Sequence, residues 1–70
     1  MKTGDALKNA RVGAGMTQAE LARRLGVTPQ TVSQYERGRI NPKFETLKRI
    51  ADAMDVSVDS LLDESMRAQI

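Results

Sequence analysis

The segment Thr17–Arg37, TQAELARRLGVTPQTVSQYER, writes two short helices separated by a tight turn, each with its own start signal. Thr17 followed by Glu20 has the spacing of a capping box. The threonine hydroxyl accepts from an otherwise unpaired first-turn amide, and the glutamate reaches back to the N–H of the cap. Leu21, Ala22 and Leu25 then share one face, Arg23 and Arg24 point outward, and Gly26 sits where the chain reverses. Val27 is an apolar plug. Thr28-Pro29 opens the second helix: a capping hydroxyl, then proline at the first helical position, where a missing N–H costs nothing.

A helix, a short turn and a second helix in this order is the pattern that presents a recognition helix to the DNA major groove. The segment also resembles, residue by residue, the lambda-repressor-like helix-turn-helix family of Cro/C1 and Xre-like regulators. Ala22 stands at the family's small residue, Gly26 at its turn glycine, Val27 at the apolar residue that follows, Val32 at the buried residue of the second helix, and Gly38 at that helix's end. The similarity continues through NPKFETLKRIADAMDVSVDSLLDE and so covers Leu7 to Glu64. Tyr35 departs from it, since an aliphatic residue is commoner there. The resemblance implies an all-α, compact five-helix DNA-binding domain over residues 1–64, with helices 2 and 3 as the helix-turn-helix and 65–70 as a C-terminal tail. It also implies a sequence-specific transcriptional regulator, repressor-like, acting as a homodimer on an inverted repeat of double-stranded DNA.

Composition bounds the alternatives. Seventy residues suit one domain with a small core and no large catalytic cleft. With no cysteine and no histidine, disulfides, thiolate chemistry and the usual zinc sites are excluded, so neither a metal nor a cofactor is expected. No apolar run approaches the roughly 18 residues of a membrane span, and the N-terminus lacks the apolar region of a signal peptide. A cytoplasmic protein with no membrane partner is the expectation. The net charge of +2 is modest, but its distribution is not. Up to residue 43, eight basic residues face three acidic ones, giving +5; from Phe44 onward three face six, giving −3. The positive half coincides with the helix-turn-helix, as a phosphate-facing surface requires.

In chain order, a first helix is expected from about Gly4 to Ala14, with Leu7, Ala10, Arg11 and Ala14 on one face and Gly15 as its stop. Met16, just before the cap, has the position of a hydrophobic staple against Leu21. Phe44, Leu47, Ile50, Ala51 and Met54 recur at helical spacing and predict an amphipathic fourth helix that Asp55 ends. Ser57, with Asp59 in the first turn and Val58, Leu61 and Leu62 behind it, predicts a short fifth.

Arg11 falls on the buried face of the first helix, where a charge requires a partner. The resemblance supplies Glu36, because the family joins these helices by a similar ion pair; the alternative, Arg11 on a phosphate, would leave that pair broken. With Val32 and Tyr35 turned inward, a rotation of 100° per residue places Gln30, Gln34 and Arg37 on the outer face of helix 3, flanked by Thr31 and Ser33. A glutamine amide matches the N6 and N7 edge of adenine, and hydroxyl residues serve several bases or touch a thymine methyl. Gln30, Thr31, Ser33 and Gln34 are therefore the candidate base contacts. A merely solvated face would be expected to mix in acidic residues, and this one has none at those positions. Gln18, just after the helix 2 cap, is placed to clamp a phosphate where first-turn amides and the helix dipole favour an anion, and the family uses a similar glutamine. Arg37 and the segment Arg39, Asn41 and Lys43, around an Ile40 expected to be buried and a stiffening Pro42, complete the candidate phosphate contacts. Arg23 and Arg24 are weaker candidates for phosphate contact, since exposed arginines on a helix are often only solvated.

Three function classes are weighed. An enzyme would need a nucleophile with a base or a metal site, and without histidine or cysteine that reading falls. A protein-interaction module that kept the fold without binding DNA would be expected to carry an apolar or acidic helix 3 surface, and this one is neither; an antitoxin-type protein, which pairs the same DNA-binding module with a separate partner, is a variant of the DNA-binding reading that the sequence leaves open. A DNA-binding regulator fits. For its dimer surface the candidates are the Ile40 loop and helix 5 with its tail: Val56, Val58, Leu62, Met66 and Ile70.

Overall fold

Described over residues 3–62, the computed structural model comprises four α-helices and one 3-10 turn. In order they are α1 (Thr3–Gly13), α2 (Gln18–Leu25), α3 (Pro29–Arg37), α4 (Phe44–Met54) and the 3-10 turn Val58–Leu61. The expected fifth helix is thus, among the described residues, a single 3-10 turn. Ser57 takes an extended cap conformation, but its side chain makes no cap bond. Instead the Ser60 hydroxyl donates to the Ser57 carbonyl at 2.7 Å. With its first-turn amides unsupported by the cap side chain, a four-residue segment closes 3-10 bonds and stops at extended Leu62. The boundary expected at residue 64 and the tail 65–70, with Met66 and Ile70, lie outside the described residues.

The four α-helices end alike. A left-handed residue closes each: Gly26, Gly38 and Asp55, at φ 73°, 77° and 56°, directly after α2, α3 and α4, and Gly15, at φ 71°, two residues past the end of α1. The next N–H then reaches back five residues, from Met16 to Arg11, Val27 to Ala22, Arg39 to Gln34 and Val56 to Ala51, at 3.0–3.1 Å. This is the Schellman arrangement, which satisfies carbonyls that a helix end leaves open. Because Gly15 holds that position for α1, Ala14 lies past the helix and is exposed rather than on its buried face.

Contacts run around a ring: α1 packs on α3, α3 on α2, α2 on α4, α4 on the 3-10 turn, and the turn back on α1. Leu7, Leu21, Val32, Leu47, Ile50 and Leu61 fill its centre, each fully buried. Leu62 is buried too and belongs to this core, which removes it from the candidate dimer surface, while Val56 and Val58 are half-buried against the core. Two apolar side chains expected inside lie outside. Ile40 and Phe44 are each 44% exposed. The inward stripe of α4 begins at Leu47, a turn after Phe44, whose ring lies under Lys48 Nζ at 5.5 Å.

The N-terminal turn of α1 approaches α3 closely through a residue that periodicity does not mark. Gly4 is buried, and a Cβ there would stand 2.6 Å from the Glu36 carbonyl oxygen and 2.8 Å from that of Tyr35. Gly4→Ala should therefore lower stability by about 1 to 3 kcal/mol in urea unfolding, although alanine is the better helix former. Asp55 is the one non-glycine among the four left-handed helix ends, and its charge opposes the dipole at the end of α4. Asp55→Gly should raise the unfolding free energy by about 0.5 to 1 kcal/mol, read from the denaturant midpoint at unchanged slope.

Candidate nucleic-acid interface

The two helices of the quoted segment are fixed at both ends. The Glu20 N–H donates to Thr17 Oγ1 at 3.0 Å and opens α2. Thr28 caps α3 in the same way, accepting from the Thr31 N–H at 3.2 Å, with Pro29 as the first helical residue. Gly26 turns the chain between them, Val27 packs on the core, and Val32 anchors α3 at 1% exposure. Half-buried Tyr35 packs beside it.

That anchoring decides which face of α3 is free. Gln30 and Gln34, one turn apart, are exposed, as is Arg37, while Thr31 and Ser33 are half-buried at their flanks. The Thr31 hydroxyl lies 3.0 Å from Thr28 Oγ1, so it is already hydrogen-bonded to the cap. Beyond Gly38, the Arg39 N–H returns to the Gln34 carbonyl at 3.0 Å, which ties the start of the basic segment to the residue that leads the outer face. The side chains of Arg39, Asn41 and Lys43 are exposed around half-buried Pro42. Lys43 occupies the cap position of α4 with no side-chain cap bond. A cation at the positive end of a helix dipole, where serine or aspartate would serve better, is a local cost.

Behind this face lies a charged cluster. Arg11 Nε donates to Glu36 Oε2 at 2.6 Å and Nη2 to Oε1 at 3.2 Å, a two-pronged pair whose side chains are 11% and 4% exposed. Arg11 Nη1 also donates to the Met16 carbonyl at 2.8 Å, next to the α2 cap. Gln18 joins the cluster, its Nε2 donating to Glu36 Oε1 at 3.1 Å. The structure therefore brings Arg11, Gln18 and Glu36 together, whereas Gln30, Gln34, Arg37, Arg39, Asn41 and Lys43 share an exposed region without bonding one another through side chains.

Sequence reading missed three roles. Arg24 donates to the Ala53 carbonyl at 3.0 Å and Arg49 to the Leu25 carbonyl at 2.9 Å, so α2 and α4 each close the other's C-terminal turn. The link from Gln18 to Glu36 was the third. Arg24 stands in the last turn of α2, where a basic residue is favoured, but Arg49 lies mid-helix in α4 and carried no local hint, and the partners lie 29 and 24 residues away. Among the described residues, no group of histidine, cysteine, aspartate and glutamate side chains could hold a metal ion, and no helix is long and apolar enough to cross a membrane.

Two capped helices joined by a glycine turn, the second presenting a polar outer face, define a helix-turn-helix protein. The comparisons agree: residues 7–61 match the helix-turn-helix family. The chain belongs to that family, in its lambda-repressor-like, Cro/C1-type branch. It is 38% identical over 61 residues to the cryptic phage CTXphi transcriptional repressor RstR of Vibrio cholerae, covering 87% of this chain and 54% of that one. It is 40% identical over 62 residues to the HTH-type transcriptional regulator ImmR of Bacillus subtilis, covering 89% and 49%. The chain thus spans about half the length of these relatives. Among solved structures, the P22 c2 repressor in complex with a synthetic operator superposes with a TM-score of 0.81 at 30% identity, over 90% of this chain and 96% of that one. The family is one of DNA-binding transcriptional regulators.

Arg11→Met should expose how much the cluster contributes. Leaving the Glu36 carboxylate buried without its cation should cost about 3 to 5 kcal/mol, much of the stability of a domain this size, read from the urea midpoint.

Proposed function

We propose that this chain is a sequence-specific, double-stranded-DNA-binding transcriptional regulator of the repressor type, acting in the cytoplasm as a homodimer on an inverted repeat. One observation carries the reading: the face of α3 turned away from Val32 bears Gln30 and Gln34 in the open, with Arg37, Arg39 and Lys43 exposed around it. α3 enters the major groove. Gln30, Gln34 and the flanking Thr31 and Ser33 meet base edges, the glutamines by paired hydrogen bonds to adenine, while Gln18, Arg37, Arg39, Asn41 and Lys43 hold phosphates on either side. The sequence likeness to RstR, a transcriptional repressor, and the fold shared with the operator-bound P22 c2 repressor support this reading. A single module covers only a few base pairs, so two copies related by a two-fold axis read half-sites about 10 base pairs apart. Ile40 and Phe44, exposed where α3 hands over to α4, supply apolar surface for the contact between copies.

Selection from a randomised duplex pool, with the salt dependence of the winners and sedimentation of the free and bound protein, tests the whole reading. An inverted repeat, a salt slope of several units and two chains per duplex are expected. Absence of both enrichment and salt-dependent affinity would overturn it, and would turn attention to a protein partner for the α3 face. On the selected duplex, Gln34→Ala should cost about 1 to 3 kcal/mol and relax preference at one position. Arg39→Ala should weaken all duplexes alike and reduce the salt slope by about one unit for each copy bound. Equal loss on selected and random duplexes for Gln34→Ala would remove it from the base-reading set.

A further inference from the structure

We propose that Glu36 is a positioning residue for DNA binding, holding the Gln18 amide in a fixed orientation at the entry of α2 so that it meets a phosphate ready-ordered. The inference rests on the DNA-binding reading above. Three features of the cluster carry it. First, a carboxylate only accepts hydrogen bonds, so the 3.1 Å contact between Gln18 Nε2 and Glu36 Oε1 decides which way the amide faces. Its second N–H remains for another acceptor. Second, the carboxylate that sets this orientation is itself immobile. Arg11 grips both its oxygens, at 2.6 and 3.2 Å, and is tied in turn to the Met16 carbonyl beside the α2 cap. Third, the Arg11 charge balances that of Glu36, so an incoming phosphate meets a neutral pair rather than a bare carboxylate. The cluster thus links α1, the groove helix α3 and the first turn of α2, where the N–H groups of Gln18 and Ala19 have no carbonyl partner within the helix. A glutamine held in this way has less side-chain freedom to lose when it binds.

The test separates positioning from mere structural support by a double-mutant cycle in affinity, using the selected duplex and an unrelated duplex as probes. Stability is followed separately by urea unfolding. Gln18→Ala and Glu36→Gln should each weaken both duplexes by about 3- to 10-fold. Combined, they should weaken binding no further than Gln18→Ala alone, while the fold is still destabilised. Losses that multiply, or a Glu36→Gln affinity equal to wild type while Gln18→Ala falls, would overturn the proposal. If Glu36→Gln does not fold, Glu36→Asp keeps the charge but draws the carboxylate back from Gln18, and the same cycle applies. The free wild-type protein gives an answer that needs no DNA: nitrogen relaxation of the Gln18 side-chain amide should match the rigid backbone and become mobile in Glu36→Asp. A mobile wild-type amide would refute the positioning role. Ordered Gln18 with no duplex bound would instead count against the DNA-binding reading alone.

Discussion

A carboxylate is withdrawn from water at the meeting point of three helices, and the arrangement of this chain depends on its being answered. The Glu36 side chain is 4% exposed, and an isolated charge so placed would be costly. Arg11 supplies both the opposite charge and the fork geometry that covers two oxygens at once, and its third contact fixes the turn leading into α2. A hydrophobic pair in the same space could be as stable, but would offer no forked bond between α1 and α3. The charged pair sets one register, and with it the direction in which the outer face of α3 looks.

Around that junction, stability comes from ends as much as from the middle. The helices are short, from eight to eleven residues, too short to be stable alone. Their termini are correspondingly well closed, by threonine caps at α2 and α3 and by the same backbone motif at all four C-termini. Arg24 and Arg49 add a crossed pair of side-chain closures between α2 and α4. The 3-10 turn then brings Leu61 and Leu62 against α1 and α4, completing the ring of packing that short helices need.

Much of this was legible in the residues. The bounds of α2 and α3 follow from Thr17, Gly26, Thr28-Pro29 and Gly38, because caps and glycine stops are local chemistry, and the stripe Leu47, Ile50, Ala51 and Met54 announces the inner face of α4. What the sequence hid was either non-local or a matter of degree. Ser57 has the chemistry of a helix cap, yet four residues close only a 3-10 turn. Phe44 and Ile40 have the character of core residues but sit where the ring of elements does not enclose them. At the candidate interface, the outward direction of Gln30 and Gln34 could be computed from Val32 by rotation alone, whereas the bond from Gln18 to Glu36 spans two helices and leaves no periodic trace.

Gly4 carries a geometric meaning beyond the space it saves. The carbonyls it faces belong to Tyr35 and Glu36, in the last turn of α3, on the side opposite the exposed glutamines. The backbone of α1 is thus a hard stop behind α3, set at the thickness of a hydrogen atom. How far α3 stands out from the body of the protein is therefore fixed by the smallest side group available. Drift at position 4 would act as a shim, displacing the outer face without altering any residue on it.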